Sequence, residues 1–283
     1  MTFSNGNKYE GEFRENNFNG RGTFTFANGN RYEGEFKNSL YDGKGAFTLS
    51  NGITFAGEYK FGNLNGTGIF KHPNGEKYEG EFKDGIFEGY GKRTFADGSR
   101  YEGSFKTGKF EGQGTMIYST QDKYEDNFRN GLPEGSGQFI SANGDIYIGE
   151  MKNGKREGSG TLESRDGRKY LGQFKNDLYD GKEKLIIPHR GVYEGEFRNG
   201  KVDGQGTISL LNGTTLVAQY RSGQLAGSCS LTLKEGTIIN GEYKDGVPDG
   251  QWSYKFPNGE KKEWEMKDGI GIQKEIDQIL KGI

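Results

Sequence analysis

Apolar and polar positions alternate in short bursts along this chain. In Tyr78-Glu79-Gly80-Glu81-Phe82-Lys83, Tyr78, Gly80 and Phe82 fall on one side and Glu79, Glu81 and Lys83 on the other. Period-two alternation predicts a strand with one buried face. A glycine between two aromatic residues leaves space in which a neighbouring ring can approach the backbone. Asp84-Gly85 is expected to start a loop ending near Gly89. A second strand is expected from about Tyr90 to Phe95, and Ala96-Asp97-Gly98-Ser99 returns the chain. Asp-Gly and Asn-Gly suit a type I′ turn, whose two central residues both take positive φ. The return turn recurs as Asn5-Gly6, Asn28-Gly29, Asn51-Gly52, Asn74-Gly75, Asn143-Gly144, Asp166-Gly167, Asn212-Gly213 and Asn258-Gly259.

The burst itself recurs. Tyr-Glu-Gly-Glu-Phe or a variant opens every 23 residues, at Tyr9, Tyr32, Phe55, Tyr78, Tyr101, Tyr124, Tyr147, Tyr170, Tyr193, Leu216, Ile239 and Lys262. A fixed period means that each unit buries its apolar side chains against its neighbours. The predicted fold is therefore all-β: an elongated, single-layer antiparallel meander of about twelve hairpins. With strands ~4.8 Å apart it would run to roughly 110 Å. The array is expected over 1–268. In the remaining 269–283, Ile270, Ile272, Ile276, Ile279, Leu280 and Ile283 follow a spacing mostly compatible with one helical face, which predicts a short amphipathic helix over about 272–281.

Composition changes little in this picture but excludes several functions. The 50 glycines would suggest a disordered chain, yet they fall at fixed places beside 20 Phe and 16 Tyr, so they read as turn and packing chemistry. The 38 basic and 40 acidic residues are interspersed, leaving a net charge of -2 and no basic block for nucleic acid. No apolar run approaches the ~18–20 residues that cross a bilayer. Met1–Gly6 already falls within a repeat, so no secretion signal is expected, and the lone Cys229 fits a reducing compartment.

The unit resembles the MORN motif (membrane occupation and recognition nexus). Its pattern of spaced glycines is met at Tyr78, Gly80, Gly85, Gly89, Gly91 and Gly98, and again at Tyr101, Gly103, Gly108, Gly112 and Gly114. The resemblance runs from Gly6 to about Lys267. It implies a β-sheet with a groove lined by the Tyr and Phe positions, and roles such as those of axonemal radial-spoke proteins, cytoskeletal scaffolds and membrane-tethering junction proteins. Departures mark places to watch: Gln121 and Asp126 for glycines, Glu183 for the second glycine of a Gly-x-Gly pair, and Leu216, Ala218, Cys229 and Trp264 at motif positions.

The expected partner groove is formed by Tyr32, Phe36, Phe55, Tyr59, Tyr78, Phe82, Tyr101, Phe105, Tyr124 and Phe128; core packing is the competing reading of the same rings. Ile272, Ile276, Ile279 and Leu280 are expected either to cap the last strand edge or to dock a partner. Paired carboxylates such as Glu10/Glu12, Glu33/Glu35 and Glu79/Glu81 recur on a solvated face and read as ion-pairing groups rather than acid–base pairs. No phosphate-loop run, calcium loop or Cys/His cluster is present, and His72 and His189 stand alone. The expectation is a non-enzymatic scaffold without cofactor or metal, located in the cytoplasm. It would bind protein partners within a cytoskeletal or ciliary (axonemal) assembly, with a homodimer left open and no nucleic acid. A phosphoinositide-binding membrane tether, disfavoured by dispersed lysines, and a regulatory subunit acting in trans on an enzyme are the alternatives.

Overall fold

The computed structural model describes residues 1–266 together with Ile276 and Ile279. The chain divides into two compact units, Met1–Ala142 and Asn143–Ile283. Among the described residues there are twenty-four strands. Within each unit each strand pairs antiparallel with the next along the chain, as in the run Lys77–Lys83, Ile86–Thr94, Arg100–Lys106 and Lys109–Ile117. The all-β meander read from the alternation is thus observed. One second strand is broken into Leu178–Tyr179 and Gly181–Ile187. Counting it once, the segments before Lys261–Met266 make eleven hairpins rather than twelve. The twelfth motif supplies one strand and no second among the described residues.

The turns divide their work differently from the expectation. The left-handed pair lies inside the hairpin: Asp84 and Gly85 have φ of 50° and 80°, Asn130 and Gly131 of 51° and 89°. This is type I′ geometry, whose twist matches that of the flanking strands. In most return turns only the glycine is left-handed, for example Gly98 at 87°; Gln121 at 72° and His189 at 57° are the non-glycine cases. There Gly98 N–H donates to the Phe95 carbonyl at 3.0 Å, and Phe95 N–H to that of Ser99 at 2.9 Å. Asn28, Asn51 and their equivalents instead use the side chain, as Asn28 Oδ1 does in accepting from Asn30 N–H at 3.0 Å. The expected loop from Asp84 to Gly89 is also shorter, because the second strand already begins at Ile86. A bulge takes its place: Gly80 faces Gly91, whereas Glu81 faces Glu88.

Two side-chain ladders join consecutive repeats. On the hairpin side, the acid preceding Gly-x-Gly accepts a backbone N–H from the next turn: Glu88 from Thr107 (2.8 Å), Glu111 from Asn130 (3.0 Å), Glu157 from Asn176 (2.9 Å) and Asp203 from Ser222 (2.9 Å). On the return side, Asn7 accepts from Ala27 N–H, Asn30 from Ser50, Asp122 from Ala142 and Asp145 from Arg165, all between 2.8 and 3.0 Å. Each such bond is worth about 1 kcal/mol net. Their recurrence fixes the register between repeats independently of the rings.

Candidate partner-binding surface

The aromatic face is built in two tiers. Tyr78 is buried and lies flat over the paired glycines Gly80 and Gly91, where a Cβ added at Gly91 would come within 2.5 Å of the ring. The ring entering the glycine gap thus comes from the same strand, two residues before the first glycine. Its hydroxyl donates to the Glu81 carbonyl at 2.8 Å, at the bulge. It stacks on Phe87 at 3.9 Å and meets Phe82 and the next repeat's Phe105 edge-on at 5.1 and 5.0 Å. Tyr101 repeats this on Phe110, Phe105 and Phe128. Such pairs contribute ~0.5–1.5 kcal/mol each beyond burial.

The rings expected to line a groove therefore form the lower tier. Tyr32, Phe36, Tyr59, Tyr78, Phe82, Tyr101, Phe105, Tyr124 and Phe128 are all buried in the sheet's own packing, and Phe55 is half-buried. In Phe55's repeat the pattern shifts: Tyr59 carries the hydroxyl and donates to the Phe55 carbonyl at 3.0 Å. Burial raises the Tyr59 and Tyr78 hydroxyls to about 12, so they serve as permanent donors. Burial likewise pushes the Cys229 thiol up to about 12, which leaves it protonated and inert.

The open surface is the upper tier, which sequence reasoning did not single out. In the first unit, Phe18, Phe24, Phe26, Tyr41, Phe47, Phe70, Phe87, Phe95, Phe110 and Met116 are half-exposed on the same face. Phe24 stands directly between Tyr9 and Tyr32 in register, and Phe70 between Phe55 and Tyr78. Arg93 interrupts the row at Phe70's position in the next repeat. Its guanidinium lies over Phe95 at 4.5 Å and Phe87 at 5.7 Å, and Nε donates to Glu76 at 3.0 Å. It thus sets a fixed polar point among the rings, stabilised by cation–π contact and an ion pair. The signal was available in the sequence, in the aromatics at Phe24, Phe47 and Phe70, each 23 residues apart.

The opposite face carries the carboxylates, and the members of each pair do different things. Glu12 and Glu81 accept backbone N–H groups from Arg21 (2.9 Å) and Tyr90 (3.0 Å), closing the bulge. Glu33 and Glu79 pair with Arg31 (2.8 Å) and Lys77 (2.6 Å) on their own strands. Cross-strand pairs occur elsewhere, as Lys92 with Glu102 (2.9 Å) and Lys184 with Glu194 (2.8 Å). These pairs are exposed and worth ~0–1 kcal/mol each. Among the described residues, no group of three or more His, Cys, Asp or Glu side chains could hold a metal ion, and no helix is long and apolar enough to cross a membrane.

Of the C-terminal residues, Ile276 and Ile279 are helical and buried. Ile272, Leu280 and the rest of the expected helix lie outside the described residues. The described contact of this segment is the Arg190 guanidinium, which donates to the Ile279 carbonyl at 3.1 Å. Arg190 sits in the turn before Gly191–Arg198, six strands before Lys261–Met266.

The MORN repeat family model matches residues 9–31, 32–54, 55–77, 78–100, 101–123, 127–146, 147–167, 170–182, 193–215 and 240–261. The chain belongs to the MORN repeat family. The ten matches fall short of the twelve motifs counted in sequence, and the unmatched stretches include the motif opening at Leu216 and the one opening at Lys262. The Leu216 stretch still folds as a hairpin, Thr215–Arg221 with Gln224–Thr232. MORN geometry thus outlasts its sequence signature. No curated protein matches the chain. Among solved structures, the TCP10 domain of Danio rerio CPAP is similar at 14% identity, covering 71% of this chain and 98% of that one, with a TM-score of 0.41. The Drosophila melanogaster SAS-4 TCP domain, solved with a proline-rich motif of Ana2, is 18% identical over 72% of this chain and 87% of its own, at 0.30. A virginiamycin B lyase from Staphylococcus aureus is 11% identical over 92% and 89%, at 0.16. No role passes from these proteins to this chain.

Proposed function

We propose that this MORN-repeat protein is a non-enzymatic scaffold that binds protein partners along the upper aromatic tier of its first unit. The observation that carries the reading is the row of half-exposed rings at Phe24, Phe47 and Phe70, resting on sealed tyrosines and followed by Arg93. Aromatic side chains held rigid by a buried layer lose little entropy when covered, and a fixed guanidinium among them can orient a carbonyl or carboxylate. Regular spacing would let one partner segment engage several repeats at once. Family resemblance extends the proposal to a cytoskeletal or ciliary assembly in the cytoplasm.

The test is crosslinking mass spectrometry in native extract with the wild-type chain and a Phe47→Ser/Phe70→Ser variant. The expected result is protein crosslinks along these rings that vanish in the variant, with its strand spectrum and melting cooperativity retained. Unchanged crosslinks in a folded variant would overturn the surface assignment.

A further inference from the structure

The second unit holds a patch that its own sheet does not explain. Ile208 and Leu231 occupy the register position of Phe24, Phe47, Phe70 and Met116, at multiples of 23 residues. Those larger side chains are half-exposed, yet Ile208 is 2% and Leu231 0% exposed. Leu162 and Leu185, at the same position in preceding repeats of the same unit, also stay half-exposed. Leu231 is thus sealed where the same residue type at the same register position, Leu162 and Leu185, stays half-exposed, which points to a cover over this patch.

The same neighbourhood holds the C-terminal segment. Arg190 lies in the return turn at the edge of this patch, and the next return turn donates to it through Leu211 N–H to the Arg190 carbonyl at 2.9 Å. The Arg190 side chain reaches the Ile279 carbonyl at 3.1 Å, across 89 positions of sequence. Ile276 is 0% and Ile279 8% exposed, at the i, i+3 spacing that places them on one side of a helix.

We propose that the segment carrying Ile276 and Ile279 is an intramolecular occupant of the second unit's face. It lays its isoleucines over the Ile208–Leu231 patch and is held by the Arg190 guanidinium. While seated, it closes this patch to partners. Once displaced, it uncovers a site for an amphipathic helix with apolar residues at i and i+3 and a main-chain carbonyl for Arg190. The scaffold reading enters only in what displaces the segment; the occupancy itself is tested without any partner. Tethering holds such a segment at an effective concentration on the order of millimolar, so an added copy must compete with it.

A fluorescein-labelled peptide of residues 267–283 is titrated to millimolar concentration into the full-length wild-type chain and the full-length Ile276→Asp/Ile279→Asp variant. Binding at least ten-fold tighter to the variant is expected, and adding Arg190→Ala to the variant should weaken it several-fold. Equal binding to both chains, or none to the variant, would overturn the proposal. A second measurement does not depend on how the double aspartate variant folds. In a full-length Cys229→Ala chain carrying His189→Cys and Lys281→Cys, which leaves Arg190, Ile276 and Ile279 in place, a short bismaleimide is expected to give an intramolecular adduct. An adduct only between chains, or none, overturns the occupancy even where the upper aromatic tier of the first unit binds partners as proposed.

Discussion

The first unit repeats one solution to the packing problem, and the second varies it. From Met1 to Ala142, the paired-glycine slot is filled by the tyrosine two residues before the first glycine, as with Tyr9 over Gly11 and Gly22 or Tyr101 over Gly103 and Gly114. The exceptions are Phe55's repeat, where Leu64 and Phe82 lie nearest the Gly57–Gly68 pair, and Tyr124's, where Asp126 replaces the first glycine. In the second unit three repeats depart. At Ile239 the ring is missing, and Trp252 fills the slot from the partner strand, its indole 2.1 Å from where a Gly241 Cβ would stand. Trp252 Nε1 donates to the Asp249 carbonyl at 3.2 Å, much as the tyrosines donate at their bulges. At Leu216 the smaller ring substitute sits with Ala218 facing Cys229. At Tyr170 the ring remains, but Glu183 replaces the second glycine and its carboxylate lies where a Cβ of residue 172 would be. The invariant is a filled volume above the backbone, not a residue type.

The sharpest break of that comparison is deletion of the slot filler in each unit. Tyr78→Ala and Trp252→Ala should each cost about 3–5 kcal/mol, read as loss of hydrogen-exchange protection in the flanking strands. A Trp252 cost under about 1 kcal/mol would mean that the slots are not equivalent. Next comes Asp126, which stands where most repeats have glycine and holds a φ of 126°. That region is nearly exclusive to glycine and costs ~1–3 kcal/mol for other residues. Asp126→Gly should therefore raise the melting temperature, even though it removes the acceptor for Gln113 and Asn127.

A smaller effect separates the tyrosines. Tyr78→Phe removes the bond to Glu81 and should cost about 1 kcal/mol. The Tyr193 hydroxyl is buried without a hydrogen-bond partner, so Tyr193→Phe should be neutral or stabilising by chemical denaturation. The smallest expected signal is pH-dependent. Desolvation holds the Glu183 carboxyl above its ordinary range, against the opposing bonds from Gln173 N–H and Tyr170, and Asp180 adds to the rise. A carboxyl raised in the fold binds more protons there than in the unfolded chain, so stability is full below its unfolded pKa and falls as pH rises through the folded value. The wild-type minus Glu183→Gly difference in melting temperature should decrease from about pH 4 upward; a flat difference would remove Glu183 as the cause.

Particular residues show where sequence reading stopped. The alternation in Tyr78–Lys83 and the 23-residue period were enough for strands, hairpins and the order of pairing, because a two-residue repeat of burial is a local property of extended backbone. Which rings are sealed was not local. Tyr78 and Phe70 are both aromatic, both on the apolar face and both periodic. Tyr78 is buried because Gly80 and Gly91 meet across two strands and leave a slot under it, whereas Phe70 stands at the Tyr78 register position one strand earlier and has no slot of its own. The same limit hid the turn assignment, since Asn-Gly satisfies both a type I′ turn and a type I turn ending in a left-handed glycine.

By itself, then, the sequence determined the repeat, the strand type, the apolar face and the family, because each follows from spacing along one hairpin. Only the tertiary structure decided which aromatic tier remains open, that the second glutamate of a pair closes a bulge, and that Ile279 returns to Arg190. Those outcomes depend on which backbone atoms meet across strands and across 89 positions of chain, and no periodicity carries that information.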